Sequence, residues 1–160
     1  MKAIAAMAQN RVIGKNGGLP WPSIKEDFKH FREFTMGQTL IVGWKTFRTL
    51  PQLKNRNIRV VDFGCGDIQS QPVENNNGLK GYIEKIQPQH LTVNKNYIVA
   101  GGAKTYELFL PYTTEFYVTH VNGSYDGDTF MPPFEHLFDR QEVIRVFENG
   151  HKVLKYSKNI

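Results

Sequence analysis

Residues 98–106 read Ile98-Val99-Ala100-Gly101-Gly102-Ala103-Lys104-Thr105-Tyr106, and this run decides the fold class. A short apolar strand meets two glycines, and a helical pattern follows. The glycines let a ligand approach the backbone, and a helix start offers unpaired N–H groups to a phosphate. The spacing is neither the dinucleotide fingerprint G-x-G-x-x-G nor a P-loop. Read alone, the run is either a tight strand-to-helix turn or a phosphate site. Gly43-Trp44-Lys45-Thr46 repeats the design after the apolar stretch Thr39 to Val42. Two such junctions in one chain favour an extended phosphorylated ligand lying along the strand ends of a single sheet.

Working outward, Ala3 to Ala8 is small or apolar at both parities, as in a strand covered on both faces. Ile58 to Phe63 predicts a third strand closed by Gly64 and Gly66, and Glu115 to Val121 has strand composition. Helices are predicted at Trp44 to Leu50 (stopped by Pro51), at Leu79 to Ile86, and at Ala103 to Leu110 before Pro111. Gln69 to Gly78 and Asn122 to Pro133 predict loops, with Pro72-Val73 beside a short strand. Asn149-Gly150 between Glu142–Glu148 and His151–Tyr156 predicts a hairpin with positive φ at both turn positions. Strands alternating with helices before a closing hairpin predict one α/β domain over residues 1–160, its sheet mainly parallel with an antiparallel edge.

Composition excludes several classes. The 160 residues are enough to bury a core, and the net charge of +5 is scattered rather than clustered, which speaks against a nucleic-acid surface. A lone cysteine, Cys65, excludes an intrachain disulfide and a multi-thiolate metal site, and the five histidines lack zinc-site spacing. No metal is expected. The apolar run Ala3 to Ala8 is too short for a signal core and no stretch is long enough to span a membrane, so a cytoplasmic monomer acting on a small molecule is the expectation.

The stretch Ile13 to Thr35 adds chemistry. A glycine-rich loop, Gly14 to Gly18, leads through Leu19, Pro20, Trp21 and Pro22 into a helix with Phe28, Phe31 and Phe34 at three-residue steps. Asp27 falls on or beside that apolar stripe, where a carboxylate is costly without a partner. It either satisfies the first helical turn or serves a ligand.

Together these pieces resemble dihydrofolate reductase over nearly the whole chain. The matching runs are A-A-M-A-Q-N-R-V-I-G at 5–14, G-G-L-P-W at 17–21, E-D-F-K-H-F-R-E-F-T at 26–35 and L-I-V-G-W-K-T-F at 40–47. They continue with G-G-A-K-T-Y-E-L-F-L-P at 101–111, F-Y-V-T-H-V at 116–121 and D-G-D-T-F-M-P at 126–132. The resemblance implies a three-layer α/β/α fold and hydride transfer from NADPH to C6 of 7,8-dihydrofolate.

By that similarity, Asp27 is the active-site acid that binds the pterin and helps N5 gain a proton. Trp21 positions a water, Leu19 closes over nicotinamide and pterin, and Gly14 to Gly18 form a mobile lid. Ile4, Ala5, Phe31, Leu50 and Leu53 resemble the apolar walls for the substrate. Arg56 matches the clamp for its α-carboxylate, Ala100 supplies a carbonyl to the pterin edge, and Thr119 hydrogen-bonds the acid. Ala6, Ile13, Gly14, Gly18, Leu19, Gly43, Trp44, Lys45 and Thr46 fall on dinucleotide positions, as do Gly101, Gly102, Ala103, Lys104, Thr105 and Tyr106. The Gly101–Gly102 bond is expected to be cis.

Two departures stand out. Trp44 occupies a position where the family often has arginine, and Asp62 lies where it offers a hydroxyl or basic group to the 2′-phosphate. An acid there suits a ribose hydroxyl, so NADH use stays open beside NADPH. Ala100 is smaller than the usual aliphatic residue, which predicts weaker binding of diaminopyrimidine antifolates. Two other readings are a reductase of riboflavin synthesis, which needs neither Asp27 nor Arg56, and a non-catalytic pterin- or nucleotide-binding member of the fold.

Overall fold

Strand β1 (Lys2–Ala8) sits near the middle of a nine-stranded sheet, hydrogen-bonded in parallel to β7 (Tyr97–Val99) and β8 (Glu115–Val121). The computed structural model describes residues 1–64, 70–91 and 96–159. Beyond β7 the parallel run continues through β3 (Thr39–Gly43), β4 (Asn57–Val61) and β6 (Lys80–Glu84). Antiparallel strands close both edges: β5 (Gln71–Glu74) on β6, and the hairpin β10 (Arg140–Val146)–β11 (Lys152–Ser157) on β8. A separate two-stranded ribbon pairs β2 (Val12–Gly14) with β9 (Thr129–Phe130).

Because side chains alternate along each strand, every central strand must feed two cores. Leu40, Val42, Ile58, Val60 and Ile98 bury one face beneath helices α1 (Lys25–Thr35) and α2 (Trp44–Phe47), with Phe31, Phe34 and Phe47 as contacts. Ile41, Val61 and Val99 bury the other beneath α3 (Ala103–Phe109), through Tyr106 and Phe109. Each such side chain contributes about 1.5–3 kcal/mol on leaving water. The three layers and the mainly parallel sheet follow the expectation.

Five local expectations do not hold. Leu79 to Ile86 is not a helix: Lys80–Glu84 is strand β6, with Gly81 buried. A Cβ on Gly81 would sit 2.8 Å from the Ile58 carbonyl oxygen, so β4 and β6 approach closely only because residue 81 has no side chain. The helix at Trp44 stops after Phe47 rather than at Leu50, its end tightened by bonds from Thr49 N to Thr46 O and Leu50 N to Phe47 O. The 69–78 region contains strand β5, and the 122–133 loop contains β9. At the hairpin only Gly150 has positive φ, and Phe147 N bonds His151 O across a three-residue loop. Cys65 and Gly66 lie outside the described residues.

Candidate active site

Helix α1 carries the acid. Its sheet-facing side presents Asp27, His30, Phe31 and Phe34, whereas Phe28 is 39% exposed and leaves the predicted stripe. Asp27 lies in the first turn, yet the Thr119 hydroxyl, from the middle of β8, donates to its Oδ1 at 2.6 Å. That bond ties the carboxylate to the sheet. Burial raises the Asp27 pKa, opposed by the Thr119 hydrogen bond and by the charges of His30 and His151. No cation forms an ion pair with it among the described residues.

The apolar walls assemble around this acid. Ile4, Leu53, Phe31, Leu50 and Ala100 belong to one cluster on the α1 side of the sheet. Ala5, the next residue of β1, faces the opposite way and packs with the cluster of Val99 and Tyr106. Arg56 donates through Nε to Thr35 Oγ1 at 3.2 Å and through Nη1 to Lys54 O at 2.6 Å, and it also reaches Arg32 O. These neutral acceptors fix the guanidinium at the end of α1 without cancelling its charge.

The lid is docked rather than free. Asn16 N donates to Asp128 Oδ2 at 2.9 Å, and Asp128 N donates to Gly14 O at 3.0 Å. The backbone bond from Asn16 holds the Asp128 carboxyl below its ordinary range. Leu19 is 47% exposed on this lid. Trp21 is buried against Tyr125, with ring centroids 6.0 Å apart, and Ala6 packs beside it. Its indole N–H finds no acceptor among the described residues, as expected of a group that meets a bound molecule.

The two glycine junctions meet at the strand ends. Gly43 N donates to Gly101 O at 2.8 Å, and the Gly101–Gly102 bond is cis, as expected. A Cβ on Gly43 would lie 3.0 Å from Thr105 Oγ1, and one on Gly102 would lie 3.2 Å from Thr46 Oγ1. Glycine here keeps a cradle open between the two helix starts. Thr105 Oγ1 is buried there without a partner among the described residues, and the Tyr106 hydroxyl anchors the first turn of α3 to Ile4 O at 2.7 Å. An open backbone cradle with an unpaired hydroxyl fits a pyrophosphate. Trp44, 41% exposed, stands at the rim, and Lys104 Nζ lies 6.0 Å from the Phe63 ring centre. Ile13 packs into the α3-side core.

A sequence profile described as dihydrofolate reductase matches residues 1–157. The chain belongs to the dihydrofolate reductase family. It is 32% identical over 149 residues to the dihydrofolate reductase of Mycoplasma pneumoniae, covering 84% of this chain and 87% of that one. It is 30% identical over 164 residues to the type 8 dihydrofolate reductase of Escherichia coli, covering 99% and 95%. The Enterococcus faecalis dihydrofolate reductase, solved with NADP(H) and RAB-propyl, superposes with a TM-score of 0.76 at 27% identity, over 99% and 96% of the two chains.

Two residues of this dihydrofolate reductase site escaped the sequence reading. His30, 8% exposed, lies one helical turn past Asp27 with Nε2 unpaired. The helical period places it on the acid's face, but a histidine among aromatics gives no local cue. Asn75 is buried and donates to Phe47 O and Leu50 O at 2.7 and 2.9 Å, while its Oδ1 accepts from Leu79 N. It thereby holds the segment that carries the Leu50 wall, from a region whose sequence predicts only loop.

Proposed function

We propose that the protein reduces 7,8-dihydrofolate to 5,6,7,8-tetrahydrofolate with NADPH, using Asp27 as its acid. One observation carries the assignment of the acid: the carboxylate is partly buried, forms no ion pair among the described residues and is held by Thr119. An ionised carboxylate in that setting matches a planar pair of N–H donors on a pterin. Burial raises its pKa above the ordinary carboxylate value, the direction that favours an acid able to hold a proton.

The remaining roles follow from position. Ile4, Phe31, Leu50, Leu53 and Ala100 form the apolar wall against the substrate, and Arg56 offers a fixed positive charge to its glutamate carboxylate. Gly43, Thr46, Gly101, Gly102, Thr105 and the start of α3 would hold the dinucleotide, with Trp44, Lys45 and Lys104 at its outer end. NADPH supplies the hydride when bound. Leu19 and the Asn16 lid would exclude water from the reacting carbons, and the unpaired Trp21 N–H would hold a bound water. One sheet running unbroken from β10 to β5 within the chain supports a single domain.

Mixing the purified protein with NADPH and dihydrofolate and following the cofactor's absorbance tests this directly. Turnover is expected. Asp27→Asn should lose most of it at neutral pH while binding NADPH within about twofold of the parent, because the acid does not touch the cradle. A folded protein without turnover on either nicotinamide cofactor would reduce the site to a binding function.

A further inference from the structure

We propose that His30 is a positioning residue that titrates together with Asp27, so that the site exchanges its proton as a carboxylate–imidazole pair rather than as a lone acid. This rests on the reading of Asp27 as the pterin's acid. The two side chains lie three residues apart on one face of α1, where neighbours at that spacing meet. His30 is 8% exposed, its ring is 5.8 Å from that of Phe34, and its Nε2 has no hydrogen-bond partner among the described residues. A buried imidazole with an unpaired nitrogen beside a partly buried carboxylate is poised to take up a proton whenever the carboxylate stays charged.

The surrounding charges set how strongly the two groups feel each other. On α1, Asp27 and Glu33 favour a proton on His30; Arg145, from β10, opposes it. Desolvation lowers the His30 pKa, and the same cause raises that of Asp27, so the two titrations move toward one another. From the far side, His151 adds positive potential at Asp27 while its own Nδ1 accepts from Asn122 N at 2.9 Å. Thr119 on β8 donates to the carboxylate, and the buried Tyr106 of α3 feels its charge. Tyr117 lies against Phe34, ring centroids 4.6 Å apart, and Phe34 in turn contacts His30. Groups this close titrate as a pair, with midpoints that belong to both.

Coupling between two sites is reciprocal, which makes the proposal testable without turnover. The histidine ring and aspartate carboxyl carbons would be followed by NMR from pH 4 to 8 in the full chain, with His30 assigned by its loss in His30→Gln. Asp27→Asn is expected to lower the His30 midpoint by about 0.5 pH or more, the direction set by removing a nearby opposite charge. His30→Gln should raise the Asp27 midpoint by the same amount, and the midpoint of the kcat/KM profile should move up with it. A merely structural His30 would change stability and leave the Asp27 midpoint in place.

If His30 titrates identically in the parent and in Asp27→Asn, the proposal is overturned. That arm uses the native histidine and stays decisive even where His30→Gln does not fold. Coupling with undiminished turnover in Asp27→Asn would instead remove Asp27 from the reaction and leave the pair standing.

Discussion

Thr119 Oγ1 and Asp27 Oδ1 lie 2.6 Å apart, joining the middle of β8 to the first turn of α1 across 92 residues of chain. A hydroxyl bond to a charged acceptor contributes about 1.5–3 kcal/mol. Thr119→Val keeps the shape and deletes the donor. Because that bond lowers the Asp27 pKa against desolvation, its loss should raise the midpoint further. Binding of a pterin to the carboxylate should weaken by about ten- to a hundredfold, the range those energies convert to. Carboxyl NMR and an equilibrium titration with dihydrofolate check the two effects separately.

The same burial has a cost for folding. A carboxyl whose pKa is raised in the folded chain above its ordinary 3.8 binds its proton more tightly there than when unfolded. Its contribution favours the fold below pH 3.8 and is lost as pH rises through the folded midpoint. Asp27→Asn should therefore be more stable than the parent at pH 7, by about 0.5–2 kcal/mol as for other relieved active-site residues. The gain should vanish as pH falls toward 3.8. Urea unfolding at both pH values measures it, and an equal gain at both would point to packing instead.

The lid offers a kinetic prediction. Asp128 accepts from Asn16 N and from the Thr129 hydroxyl, each at 2.9 Å. Asp128→Ala removes both bonds and frees the loop that carries Leu19. Both bonds run to an exposed carboxylate and hold the lid docked, so without them the single-turnover hydride rate should fall about three- to tenfold. Stopped-flow measurement with saturating NADPH distinguishes this from a change in cofactor affinity.

How much of this was legible depended on the kind of signal. The junctions at Gly43 and Gly101 were readable because phosphate cradles require glycine at fixed offsets from a strand. Asp27 stood out because a carboxylate on an apolar face demands a reason. Strand β6 was not readable: Leu79, Tyr82, Ile83 and Ile86 fall at helical spacing, and the feature that decides for strand, Gly81 against Ile58, is a tertiary contact. His30 and Asn75 escaped for the same reason, since a buried polar side chain is defined by partners distant in sequence. The hairpin was found, but the three-residue loop closing at Phe147 and His151 leaves positive φ to Gly150 alone.

That strand assignment can be checked. A Cβ at residue 81 would meet Ile58 O at 2.8 Å and Ile58 Cβ at 3.0 Å, so β4 and β6 must part to admit it. Overpacking of this kind costs about 1–3 kcal/mol. Gly81→Ala should lower the urea midpoint with an unchanged slope. In a solvent-facing helix the same change would stabilise by about 1 kcal/mol, so even the sign decides.

The final prediction concerns the outer end of the dinucleotide. Asp62 follows directly on β4; its Oδ1 accepts from Gly64 N at 2.9 Å, and its Oδ2 is buried without a partner among the described residues. A fixed negative charge beside a 2′-phosphate repels it, whereas the same oxygen accepts a bond from a ribose hydroxyl. At the dielectric of a partly exposed site the repulsion amounts to about 1 kcal/mol. Asp62→Asn should therefore tighten NADPH about fivefold and leave NADH unchanged or slightly weaker. Cofactor binding followed by quenching of protein fluorescence reports both constants without turnover. If the two cofactors respond equally, Asp62 does not sense the phosphate, and discrimination then lies with Trp44 and Lys104 at the rim.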